Sequence, residues 1–146
     1  MPFVQIFLKN SRSHKERHGI ADCVHRAMVK AIGIPEGDRF QIITEHEADL
    51  IYDPDYLKIQ RTDGIVVIQI TMASGRTVTQ KKALFKNIAE LLTAEQGVRQ
   101  EDVFINLVEV HGKTGLLETV SRNMPMRRHL TWQKDNCRAN DSHIAA

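Results

Sequence analysis

The chain has 146 residues, which suits one domain with a real core and leaves little room for two. Its 26% charged and 42% hydrophobic residues are an ordinary soluble composition, and a formal charge of +2 is too small to argue for nucleic acid. No apolar run approaches membrane-span length, Met1-Pro2-Phe3-Val4-Gln5 lacks the basic n-region of a signal peptide, and Cys23 and Cys137 make neither a disulfide framework nor a zinc site. The expected setting is a reducing cytoplasm, with no membrane, nucleic-acid or cofactor partner. The charge is unevenly spread. Residues 1–110 carry fourteen basic and fifteen acidic side chains, a net of −1, and residues 111–146 carry six and three, a net of +3.

In chain order, Pro2 to Leu8 reads as a short apolar strand. Ser13 and Glu16 have the spacing of a capping box. Ile20, Val24, Met28, Val29 and Ile32 then recur at helical spacing, and Gly33 and Pro35 end the helix. Phe40, Ile42 and Ile43 open a second strand. The stretch from Glu45 to Asp63 is polar and irregular, with an apolar patch at Leu50-Ile51-Tyr52. Ile65 to Met72 is a β-branched run typical of a buried strand. Thr77 and Gln80 repeat the capping box, Leu84, Ile88, Leu91 and Leu92 mark a second helix, and Gly97 ends it. Val103 to Val110 is the last strand.

The two halves match at one offset of 64 residues: Arg12 with Arg76, Gly33 with Gly97, Ile34 with Val98, Asp38 with Asp102 and Phe40 with Phe104. The domain is therefore read as residues 1–110, a tandem βαβ with units at about 2–46 and 65–110. Each crossover is a helix, so each strand pair is expected to be parallel. Joined edge to edge, the units give an α/β, two-layer fold: a four-stranded sheet with both helices on one face. The other face, lined by Val, Ile and Phe, calls for self-association.

Proline directly after an initiator Met is a candidate for chemistry. Removal of Met1 leaves a secondary amine at a strand start. An α-amino group titrates near ~7.7–8, and an apolar pocket or a nearby cation lowers that toward working pH. Arg76 and Asp38 have plainer readings as a helix-opening residue and a turn residue; Asp102 reads as a turn residue. His14, His18 and His25 lie on the first helix without H-E-x-x-H spacing, so no metal site is expected. Cys23 reads as packed rather than nucleophilic.

The residues Met1-Pro2-Phe3-Val4, Ile34 to Gln41, Ile43-Thr44-Glu45-His46, Gln69-Ile70-Thr71, Gly75 to Lys82 and Asp102 to Val110 occur in order over nearly all of residues 1–110. In them the chain resembles the tautomerase superfamily, closest to its double-length branch that includes malonate semialdehyde decarboxylase. That resemblance implies a trimer and an amino-terminal proline, here Pro2, that moves a proton next to a carbonyl in a small 2-oxo or 2-hydroxy carboxylate. It implies that Asp38 assists and that Arg76 holds the substrate carboxylate, a task suited to a guanidinium. The decarboxylase has a second arginine where this chain has Ser74, the other substrate-binding candidate; that departure weakens the decarboxylase assignment and leaves decarboxylation of a 3-oxo acid as the near alternative to tautomerisation.

After Val110 the family continues through Asn-Trp-Ser-Phe-Gly-Asn-Gly. Here His111 to Val120 stands instead, and one back-translation of it, read from the third base of the His111 codon, encodes that lost segment. Residues 111–146 are therefore read as an atypical tail from a shifted frame, with Trp132, the only Trp, inside it. Loss of a family wall segment makes a catalytically impaired oligomer a further alternative.

Overall fold

The structure is a computed structural model that describes residues 2–9 and 12–111. The tail after residue 111, with its shifted-frame reading, lies outside the described residues. The elements in order are β1 (Phe3–Lys9), α1 (His14–Ile32), β2 (Gln41–His46), a single-turn 3-10 helix (Tyr56–Lys58), β3 (Val66–Ala73), α2 (Val78–Gln96), a second 3-10 turn (Gln100–Asp102) and β4 (Val103–Val110).

Local chemistry sets the helix ends. The Ser13 side chain accepts the Glu16 N–H, and the Glu16 carboxylate accepts the Ser13 N–H at 2.7 Å. Thr77 and Gln80 do the same for α2, at 2.9 Å. Such reciprocal caps satisfy donors that the helix itself cannot, at about 1 kcal/mol each. Gly33 and Gly97 then end the helices with φ of 65° and 63°, left-handed conformations that suit glycine. The strand starts at Phe3 rather than Pro2, since proline has no N–H for a ladder.

The sheet order is β2-β1-β3-β4. The outer pairs are parallel and the central pair, β1 with β3, is antiparallel. Gln5 pairs with Gln69, its own repeat equivalent, and the two side chains meet at 3.3 Å. The pseudo-twofold axis relating the two βαβ units therefore passes between them.

Alternation decides the faces. Val4, Ile6, Leu8, Val66, Ile68 and Ile70 are fully buried and join Ile20, Val24, Leu84, Ile88 and Leu92 in one helix–sheet core. Phe3, Phe7, Val67, Ile42, Phe104 and Val108 lie on the opposite face, which no helix of the described residues covers. Ile42 is 47% exposed and Phe104 38%, so an apolar sheet face is left half open.

Candidate active site

Topology gathers the candidate residues at one end of the sheet. Pro2 is buried directly before β1. Because β2 runs parallel to β1, the segment before β2 arrives at the same end: the Val4 N–H donates to the Phe40 carbonyl at 3.0 Å, and the Phe3 and Phe40 rings lie 5.8 Å apart. Because β3 runs antiparallel, it finishes there, with Thr71 opposite Phe3. β4 finishes beside it, and the Ser74 N–H donates to the Val110 carbonyl at 3.0 Å. Pro2, Asp38, Ser74 and Arg76 thus share one end, brought there by three separate elements.

The local backbone sets how each is presented. Asp38 is half-buried and closes a tight turn, its N–H donating to the Pro35 carbonyl at 3.0 Å. Arg76 is also half-buried, and one guanidinium N–H donates to the Ala73 carbonyl at 2.9 Å. Between them Gly75 has φ of 113°, a conformation other residues rarely adopt, which lets the chain leave β3 and enter α2 within a few residues. The α2 N-terminus follows directly, and its partial positive charge adds to that of Arg76. Lys81 and Glu109 form a half-buried ion pair of 2.6 Å between α2 and β4 at this end. Neither residue was marked by the sequence; their meeting depends on the helix–strand register.

The pseudo-twofold axis makes a second end to compare. There Val66, Asp102 and Arg12 are the equivalents of Pro2, Asp38 and Arg76. Asp102 is not the plain turn residue expected from sequence. It is 2% exposed and accepts both the Thr62 N–H at 2.6 Å and the Thr62 hydroxyl at 2.7 Å. Arg12 donates to the Gly64 carbonyl at 3.0 Å. The segment leading into β3 therefore occupies both polar groups, and the chain continuity at Ile65-Val66 removes any amine. A hollow of about 410 Å³, lined in part by Tyr52, Tyr56, Arg61, Ile65 and Phe104, belongs to this far end and not to Pro2.

The same contrast gives a prediction. Asp102→Ala leaves the Thr62 donors without their carboxylate and lowers unfolding free energy by about 2 kcal/mol. Urea denaturation measures this, and turnover by the folded variant stays within about twofold of the parent. Asp38→Ala instead lowers turnover well beyond twofold.

The remaining sequence candidates fall elsewhere. The His14 and His18 rings stack at 4.1 Å on the first turns of α1, while His25 is buried and faces Glu36. Cys23 is fully buried; burial raises its thiol pKa, against an opposing hydrogen bond from Arg26, as expected of a packing residue.

Comparison with known proteins gives the family. A family described as "Tautomerase enzyme" matches residues 2–53, and a second family of the same description matches residues 38–114. "Probable tautomerase YusQ" of Bacillus subtilis (strain 168) is 44% identical over 108 residues, covering 73% of this chain and 85% of that protein. The crystal structure of FG41 malonate semialdehyde decarboxylase inhibited by 3-bromopropiolate is 35% identical, with a TM-score of 0.72, over 84% of this chain and 99% of that one. A fused 4-OT symmetric trimer shares the fold at 20% identity and a TM-score of 0.63, over 78% and 94% of the two chains. The chain belongs to the tautomerase family of enzymes.

Proposed function

We propose that the chain, once Met1 is removed, uses the secondary amine of Pro2 to move a proton next to a carbonyl in a small 2-oxo or 2-hydroxy carboxylate. The observation that carries this reading is the convergence of a buried Pro2, Asp38 and Arg76 at one end of the sheet, whereas the pseudo-equivalent end has no amine and its carboxylate, Asp102, is 2% exposed and held by Thr62. Arg76 holds the substrate carboxylate, helped by the α2 N-terminus. The neutral amine takes the proton of the enol hydroxyl and returns it to carbon, so the substrate gains a C–H bond as the O–H bond breaks. Asp38 assists by favouring the protonated amine between the two steps.

Decarboxylation of a 3-oxo acid is the second reading, favoured by the 35% identity to a malonate semialdehyde decarboxylase. Ser74 argues against it, because a hydroxyl cannot supply the second cation found at that place in the decarboxylase. The open sheet face supports self-association, and the trimer of the fused 4-OT relative makes three copies the favoured number.

The experiment is a side-by-side assay of 2-hydroxymuconate and phenylpyruvate ketonisation and of malonate semialdehyde decarboxylation. Ketonisation is expected to dominate. Dominant decarboxylation replaces the reading with its neighbour. No turnover of either class favours a silent protein, impaired through its tail. Gene sequencing across the Val110 codon tests the shifted-frame origin of residues 111–146: codons that cannot be re-read into the family segment dispose of it.

A further inference from the structure

His25 is the one buried imidazole among the described residues, 8% exposed on α1. Its Nε2 lies 2.8 Å from the Glu36 carbonyl oxygen. A carbonyl only accepts, so Nε2 carries the hydrogen. Nδ1 is buried with no hydrogen-bond partner. A leucine or methionine would fill this space without burying an orphan nitrogen. What the ring adds is the bond to Glu36.

That carbonyl has a particular place. Pro35, Glu36, Gly37 and Asp38 form a β-turn closed by the Asp38 N–H and the Pro35 carbonyl at 3.0 Å. The Glu36–Gly37 peptide is the central peptide of the turn, the unit that inverts between type I and type II. Type II needs positive φ at the third residue, and glycine supplies it at no steric cost. Gly37 therefore leaves both forms open, yet its φ is not in the left-handed region. Further ties hold this segment, among them Arg39 to Asp22 at 2.5 Å, Arg39 to Gln41 at 2.7 Å and the Val4 N–H to the Phe40 carbonyl at 3.0 Å. These lie after Asp38, whereas the bond from His25 reaches the central peptide itself.

We infer that His25 is a positioning residue: by holding the Glu36 carbonyl it selects one form of the turn and so sets where Asp38 stands at the Pro2 end of the sheet. This rests on the reading of Asp38 as the group that assists Pro2. It assigns the buried face of α1 a part in the chemistry without contact to substrate.

The test uses four variants of the full chain. His25→Met and His25→Gln are near in size, but only Gln keeps an N–H donor at similar reach. Gly37→Ala has open space around its Cβ and an ordinary φ, and alanine disfavours the type II form. Expected for ketonisation is a kcat lowered about tenfold in His25→Met, the equivalent of losing about one hydrogen bond's preference for one form. KM stays within about twofold, because Arg76 sits on another element. His25→Gln and Gly37→Ala stay near the parent. The double variant His25→Met with Gly37→Ala regains most of the lost kcat, since alanine restores by sterics what the bond enforced. Amide exchange at Asp38 follows the same order, faster in His25→Met and restored in the double variant.

Equal kcat in the Gln and Met variants of an active parent overturns this inference alone. So does a folded double variant as slow as His25→Met. Absence of turnover in the parent removes the reading of the site and this inference with it, and the two failures are thereby told apart.

Discussion

Pro2→Ala lowers kcat/KM for ketonisation by about a hundredfold or more, within the ~10²–10⁴ that a positioned acid–base group contributes. The variant is informative because alanine, like proline, permits removal of Met1 and leaves a free α-amine. What it loses is the ring, which fixes φ and holds the nitrogen in one direction at the head of β1. A primary amine free to rotate spends most of its time misaligned, and a misplaced group loses much of its advantage. Stability should change little beside this, because Pro2 contributes no ladder hydrogen bond. Steady-state kinetics of the folded variant measure the effect. Unchanged kcat/KM removes the amine from the mechanism.

Arg76→Ala raises KM for the same substrates by about a hundredfold, with a smaller loss in kcat. The guanidinium is half-buried and tied to the Ala73 carbonyl, so it is presented rather than mobile. A charge-assisted hydrogen bond to a carboxylate contributes about 1.5–3 kcal/mol, and a two-pronged contact more. Arg76→Lys should recover only part of the loss, because an ammonium supplies charge without the planar fork. A substrate analogue lacking the carboxylate should be turned over equally poorly by parent and Arg76→Ala. A clear advantage of the parent on that analogue assigns Arg76 some other task.

Much of this is legible in the sequence. Ser13 with Glu16, Thr77 with Gln80, Gly33 and Gly97 are local signals, and each acts within a few residues of itself. The 64-residue offset exposed the repeat, and the β-branched run from Ile65 to Met72 exposed the buried strand. What lay beyond reach was set by distant parts of the chain. The offset says that two units exist but not how β1 and β3 pair. The antiparallel join, centred on Gln5 and Gln69, brings Arg76 of the second unit to the end that holds Pro2 of the first.

Asp38 and Asp102 look alike in sequence, yet one borders the candidate site and the other is locked to Thr62. The difference comes from the segment between units, present at one end and absent from the other. That segment was itself opaque: Leu57 and Lys58 adopt φ of 60° and 59°, and no glycine marks the place. Nothing in the sequence sets His25 apart from His14 and His18; its contact with the Pro35–Asp38 turn does.

The central claim is that the reacting group is the amine of Pro2 and that a carboxylate brings the substrate to it. Labelling with 3-bromopropiolate, the inhibitor of the decarboxylase relative, tests both parts at once. Mass mapping should find one covalent adduct, on the nitrogen of an amino-terminal peptide that begins at Pro2, with labelling slowed in Arg76→Ala. A peptide that still carries Met1, or an adduct on some other residue at the same rate in both proteins, contradicts the account.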